Sequence, residues 1–359
     1  MANIISIGTA VPEFCHSQKD ILKFMQQAYN LDEIDKRKLS FLYSQSGIDQ
    51  RYSVIEDFSK PTVDWSFIPQ QIGAAPSLEK RLALYQQLAL PLSLDAIENC
   101  INGFIPASEI THLITVSCTG MSAPGLDLQI AEELKLSPNV FRTSVNFMGC
   151  YAAIHAMKIA KMICDTTPGA NVVIVSTELC TIHFQKEYTL DNAASSLLFG
   201  DGSAAMLVSN STTTSSNIFL KHFFSQISIK GKKDMAWELS SKGFLMTLSG
   251  YVPQLIQEDI GALLENALKE SGLMKEEITH WCIHPGGKKI IDVIQRQLQL
   301  TPEDLSFSNN VLSRYGNMSS ATIMFVLKEI MEASVDKKAT VFGVAFGPGL
   351  TMETFLASS

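Results

Sequence analysis

Stretches such as NVVIVSTEL, residues 171–179, constrain this chain more than any other feature, because they are apolar almost without interruption. A strand with one wet face alternates apolar and polar side chains, whereas one that stays apolar at successive positions must be covered on both faces. Runs of the same kind recur at NIISIGTAV, THLITVSCT, SAAMLVS, ITHWCIH and ATVFGVAFG. Helical patterns separate most of them. Ser17 is placed to cap QKDILKFMQQAYN, and longer patterns occupy residues 77–102, 251–271, 286–299 and 319–334. The alternation predicts an α/β architecture with helices on both faces of its sheets. The polar stretch SNSTTTSSN, residues 209–217, breaks the rhythm past the middle of the chain. It predicts a junction between an N-terminal half, 1–211, and a C-terminal half, 212–359.

The 359 residues, 46% hydrophobic and 18% charged, are enough for two domain-sized units packed on each other. A net charge of -8, with no local cluster of Lys and Arg, argues against a nucleic-acid surface. The opening MANIISIGTAV lacks a basic leader region, and its apolar run is too short for a signal peptide or a membrane span. It reads as a first strand. Seven cysteines, an odd number without a CxxC pair or metal-ligand spacing, argue against a disulfide framework and a metal site. They predict a reducing, cytoplasmic compartment.

Three stretches join chemically capable residues to small ones. In NFMGCYAA, Cys150 sits where a strand-like run turns into a helix. A thiol there feels the positive end of the helix macrodipole, which predicts a lowered pKa and a nucleophile. In HWCIHPGG, His284 ends a strand and is followed by a proline and two glycines that force a turn. In RYGNMSSA, Asn317 occupies a tight turn at the start of a helix. Taken singly, each has an ordinary structural explanation: a packed cysteine, a strand-end histidine, a capping asparagine. Together they supply a thiol, a base and an amide donor at element ends of an α/β chain, where sites collect.

Cys, then His, then Asn is also the chain order of papain-like hydrolases, but the surroundings of Cys150 lack their local sequence. At these residues the chain instead resembles the type III polyketide synthases, the chalcone-synthase-like condensing enzymes of the thiolase fold. The resemblance runs from IISIGTAVP through APGLDLQ, FMGCYAA, LFGDGSAA, IHPGG and YGNMSSAT to FGPGLTMETF, essentially the whole chain. The related β-ketoacyl carrier-protein synthases of type III share the Cys-His-Asn set without the HPGG and FGPGLT pair, and rank second.

The resemblance implies a thiolase-like α/β fold of two similar halves whose sheets are sandwiched by helices, and a homodimer. It implies a buried cavity reached by a pantetheine tunnel. Cys150 would take the acyl-CoA starter, and His284 would hold Cys150 as thiolate. His284 and Asn317 would donate hydrogen bonds to the malonyl-CoA thioester carbonyl. Phe199 would stand between tunnel and cavity, and the loop containing Gly347, Pro348 and Gly349 would scaffold the site. Cys118, Thr119, His183 and Met246 fall at cavity positions, with Trp237 close to the same aligned segment. Coenzyme A thioesters enter as substrates and no further cofactor is implied. Of three basic positions that meet the coenzyme A phosphates in plant relatives, only Lys38 keeps that character; the others are Phe41 and Gln45. An acyl carrier protein therefore stays open as donor. The adaptable Met246 suits an aliphatic starter and an alkylpyrone or alkylresorcinol product. A catalytically silent acyl-binding homologue is disfavoured by retention of all three capable residues.

Overall fold

The computed structural model describes residues 1–71, 73–211, 218–335 and 337–359. The first half runs β1 (Asn3–Ala10), β2 (Phe14–Ser17), α1 (Gln18–Ala28), α2 (Glu33–Ser44), β3 (Gln50–Ser53) and α3 (Leu78–Ile101). It continues with β4 (His112–Ser117), α4 (Leu126–Glu133), β5 (Phe141–Asn146), α5 (Ala152–Thr166), β6 (Asn171–Leu179), α6 (Leu190–Leu198) and β7 (Asp201–Ser209). The second half runs β8 (Ile218–Ile227), β9 (Met235–Ser240), β10 (Gly243–Leu248), α7 (Val252–Ser271), β11 (His280–Ile283) and α8 (Lys288–Gln297). It closes with α9 (Ser306–Tyr315), α10 (Thr322–Ala333), β12 (Thr340–Gly347) and β13 (Thr351–Ser358). Of the polar junction stretch, residues 212–217 lie outside the described residues.

Helix starts follow the predicted chemistry. Ser17 accepts from the Asp20 backbone N–H, and Ser77 caps α3 by accepting from Lys80 N. α7 ends on Gly272 in the left-handed region.

Among the described residues the large sheet has the order β11-β12-β13-β8-β1-β7-β6-β4-β5. Its two wings wind alike. In each, the first strand (β1 or β8) sits at the centre, the last (β7 or β13) pairs beside it, and the earlier ones lie farther out. The wings meet where β1 pairs antiparallel with β8 through Asn3–Phe219 and Ile4–Ile218.

Side-chain parity explains the continuous apolar runs. Ile114, Val116, Ile174 and Met206 from one wing, with Val341, Ala345 and Phe355 from the other, pack on α5 and α10 in one core. Their neighbours Leu113, Val173, Val175 and Leu207 face α3, whereas Trp281, Ile283, Phe342 and Val344 face α7 and α8. Strands β1, β4, β6, β7, β12 and β13 are thus buried on both faces along most of their length, giving helix, sheet, helix, sheet, helix in section. Two small antiparallel pairs complete the fold, β2 with β3 across α1 and α2, and the β9–β10 hairpin.

Candidate active site

The C-terminal ends of β4, β6, β11 and β12 and the turns after β5 and α9 converge on one buried cluster. Cys150 lies just ahead of α5 and is 8% exposed. Its turn is backbone-strained: Phe147 and Gly149 both have positive φ, 61° and 84°. Only glycine fits position 149, because a Cβ there would lie 2.1 Å from Pro348 Cδ. The FGPGL loop is therefore pressed directly onto the cysteine turn. A Cβ on Gly347 would come within 3.3 Å of Cys150 N, and Gly349 takes a φ of 74° to bring the chain back into β13.

The side chains of Ser319 and Asn317 favour the Cys150 thiolate, against the larger effect of burial. Asn317 is 3% exposed; its Oδ1 accepts from Ser319 N at 2.8 Å, and its Nδ2 points at the Gly286 carbonyl at 3.5 Å. Its backbone is locked as well. Asn317 N donates to Leu198 O (2.9 Å) and Gly200 N donates to Asn317 O (3.0 Å), so Phe199 lies beside Asn317 in a short parallel bridge. His284 is 1% exposed, fixed by its own N–H to Val344 O and by Gly286 N–H to its carbonyl, each 2.9 Å. Neither ring nitrogen of His284 has a partner among the described residues. Two unpaired buried polar atoms are costly unless a ligand completes them.

Burial pushes the Cys150 thiol up to about 12 and the His284 imidazole down to about 3. This corrects the expectation of a thiol acidified by the helix start. Removal from water outweighs the hydrogen bonds from Ser319 and Asn317, and each group taken alone is neutral in the closed site.

Beneath the cluster lies a carboxylate that sequence reading missed. Glu178, fully buried, accepts from Cys118 N at 2.9 Å, Thr119 Oγ1 at 2.8 Å and Ser320 Oγ. It thereby ties β4 and β6 to the segment ahead of α10. Its one sequence signal was a lone acid inside an otherwise apolar strand. Ser319, equally missed, had no signal beyond its nearness to Asn317. Cys118 Sγ accepts from Gly149 N at 3.0 Å, so Cys118 supports the cysteine turn.

Phe199, His183 and Met246 do line one cavity, together with Trp237, Phe244 and Cys180. Its free volume is small, about 40 Å3. Met246 and Trp237 stand directly opposite each other on the β9–β10 hairpin. Trp237 Nε1 donates to Cys118 O (2.7 Å), and His183 Nε2 donates to Thr119 O (2.7 Å). The His183 ring stacks on Phe244 at 4.2 Å, and its Nδ1 accepts from Phe244 N. Burial drives its pKa down to about 3, so it stays neutral. Lys38 is apart from this group: it sits on the exposed face of α2, 2.8 Å from Asp35. Among the described residues no helix is long and apolar enough to cross a membrane.

A thiol, an unpartnered imidazole and an amide closed off from water on this bilobed α/β scaffold define a condensing-enzyme type of site. The chain belongs to the chalcone and stilbene synthase family, whose N-terminal domain matches residues 1–212 and whose C-terminal domain matches residues 220–359. It is 30% identical over 363 residues to the "Alpha-pyrone synthesis polyketide synthase-like Pks18" of Mycobacterium tuberculosis, covering 99% of this chain and 91% of that protein. It is 29% identical over 371 residues to "Type III polyketide synthase C" of Arabidopsis thaliana, covering 99% and 94% respectively. The crystal structure of PKS-I from the brown alga Ectocarpus siliculosus superposes with a TM-score of 0.91 at 27% identity, covering 99% of this chain and 97% of that one.

Proposed function

We propose that the protein is a type III polyketide synthase that loads an aliphatic acyl-CoA on Cys150, extends it with malonyl-CoA and cyclises the product to an alkylpyrone or alkylresorcinol. The observation that carries this reading is the pair of unpartnered ring nitrogens on buried His284, whose turn meets the Asn317 amide at Gly286 O, 3.5 Å away. They are donors and acceptors awaiting a thioester.

In the first half-reaction His284 takes the Cys150 proton as sulfur attacks the starter carbonyl. Transfer within the pair creates no net charge, so the dry site desolvates one ion pair rather than two separate ions. The tetrahedral intermediate expels coenzyme A, whose thiolate recovers the proton from His284. In the second, the malonyl thioester oxygen accepts hydrogen bonds from Asn317 Nδ2 and His284. The bond to the carboxylate breaks, carbon dioxide leaves, and its electron pair forms an enolate that these fixed donors stabilise. The enolate carbon then attacks the acyl group on Cys150, and the cysteine sulfur departs. Coenzyme A thioesters serve as substrates and no other cofactor takes part.

Two features support an aliphatic starter. The cavity is small, about 40 Å3, so a long acyl chain would need its walls to repack, and Met246, which lines it, is unbranched and flexible. The Mycobacterium relative carries α-pyrone synthesis in its name. The protein acts as a homodimer in this reading. β5 pairs only with β4 and shows Phe141 69% exposed, leaving an open sheet edge for a second copy. The function is tested by supplying malonyl-CoA alone: a condensing enzyme releases carbon dioxide and acetyl-CoA, whereas a hydrolase releases free malonate. Acyl-CoA and acyl carrier protein starters from hexanoyl to stearoyl, with mass spectrometry of products, then fix donor and chain length. An aromatic starter turned over tenfold better than every aliphatic one would overturn the substrate class.

A further inference from the structure

The α6 helix ends at the site, and its last carbonyls are claimed by three different parts of the chain. Leu197 O accepts from Gln18 Nε2 at 3.0 Å, Leu198 O from Asn317 N at 2.9 Å, and Phe199 O from Arg51 Nη1. Arg51, on β3, is 4% exposed, and its Nε donates to Gln18 Oε1 at 3.1 Å. A buried cation at the negative end of a helix both satisfies its carbonyls and complements its dipole. The fully buried carboxylate of Asp201 acts on it electrostatically and favours its charge.

The arginine also reaches the residue before Asn317. Gly316 has a φ of 68°, and a Cβ there would lie 2.7 Å from Arg51 Cδ and 2.8 Å from Leu198 O. The stem of Arg51 is packed against that turn. The strand bearing Arg51 is in turn moored to the end of α9, where Asp49 N donates to Ser313 O (2.9 Å) and Ser313 Oγ donates to Asp49 Oδ2 (2.6 Å). The β3 strand and the residue ahead of it thus grip the turn that presents the amide.

We propose that Arg51 is a positioning residue for the decarboxylation step: by holding the Phe199 carbonyl and backing Gly316, it fixes where Asn317 presents its amide and where Phe199 stands. Among the described residues it makes no hydrogen bond to Cys150 or His284, so its influence passes through the 198–200 and 316–317 segments. This rests on the role given to Asn317 above. Misplacing a donor by about 1 Å can cost on the order of a hundredfold in rate, and the nucleophile's own loading needs no such donor from Asn317.

The test separates the two half-reactions in Arg51→Lys, which keeps the charge but loses the planar fork. Acyl loading is read by intact-protein mass spectrometry, and decarboxylation by release of labelled carbon dioxide from malonyl-CoA. Decarboxylation should fall at least about tenfold in kcat, with KM for malonyl-CoA changed less than about threefold and loading within about twofold of wild type. Equal loss of both half-reactions, or loss of neither, overturns the proposal. Should Arg51→Lys fail to fold, Gln18→Met decides, because it leaves Arg51 in place and removes the acceptor at its Nε together with the donor to Leu197 O. The same one-sided loss in that variant supports the proposal, and unchanged decarboxylation overturns it. Asn317→Ala run alongside tells the failures apart: if it decarboxylates normally, the role of Asn317 is wrong; if it does not and the Arg51 and Gln18 variants do, only the positioning role is wrong.

Discussion

Replacing His284 by glutamine removes the base while keeping most of its volume, so the site stays dry. Burial, which outweighs the opposing effect of Ser319 and Asn317, places the Cys150 thiol at about 12 against a reference of 9.0, and the variant offers its proton no partner base. The difference is about three units, so at pH 8 the thiolate population should be about a thousandfold below that of a free thiol. In wild type the proton has somewhere to go, and the thiolate forms without leaving a lone charge in the site. The assay is the rate of Cys150 alkylation by iodoacetamide between pH 6 and 10, read by intact-protein mass spectrometry. In His284→Gln the logarithm of the rate should climb by about one per pH unit across the whole range. Wild type should react faster near neutrality and bend to a plateau at lower pH. Coincident profiles, or a plateau below pH 9 in the variant, would refute the pairing of the two groups.

Asn317→Ala should cut malonyl-CoA decarboxylation on the order of a hundred- to a thousandfold while Cys150 still loads, as the amide acts only where enolate charge develops; parallel loss in both assays argues against it. Trp237→Ala should lengthen the accepted acyl chain and Met246→Phe shorten it, with each added buried methylene worth about fourfold in kcat/KM, from about 0.8 kcal/mol. Unmoved chain-length profiles in both variants would remove these side chains from the cavity's end. Asp201, raised from 3.8 to about 6 by burial, holds its proton more tightly folded than unfolded. Its contribution is therefore full below about pH 4 and lost as pH rises through 6, a gain of about 1.4 kcal/mol between pH 7.5 and 5. Wild type minus Asp201→Asn in urea unfolding should show that increment, and a pH-independent difference refutes it.

What the sequence made legible were features written locally. The doubly buried strands announced themselves by uninterrupted apolar runs, and Ser17 sits where its hydroxyl can meet Asp20 N. β5 was visible only as the strand-like run ahead of Cys150, because FRTSVN is an exposed edge strand with one buried residue. β9 and β10 are half-buried and joined without a strong turn signal. Cys150, His284 and Asn317 were legible because each stands at a strand end or turn marked by glycine or proline. Glu178, Ser319 and Arg51 were not, since their importance comes from partners more than a hundred residues away. The direction of the Cys150 shift was misread for a related reason. A helix start can be seen in sequence, but the depth of burial that opposes it cannot.

The imidazole of His183 has consequences for how a product is shaped. One nitrogen gives its proton to Thr119 and the other receives the Phe244 amide, with the ring laid flat on an aromatic face. Such a histidine has no proton to trade and no lone pair to spare. It is masonry rather than reagent. A reactive polyketide chain folding against this wall meets contour and little chemistry, so ring size would be dictated by which carbons the contour brings together. Changing the product then becomes a problem of geometry, solved by reshaping the wall and leaving the three reacting side chains alone.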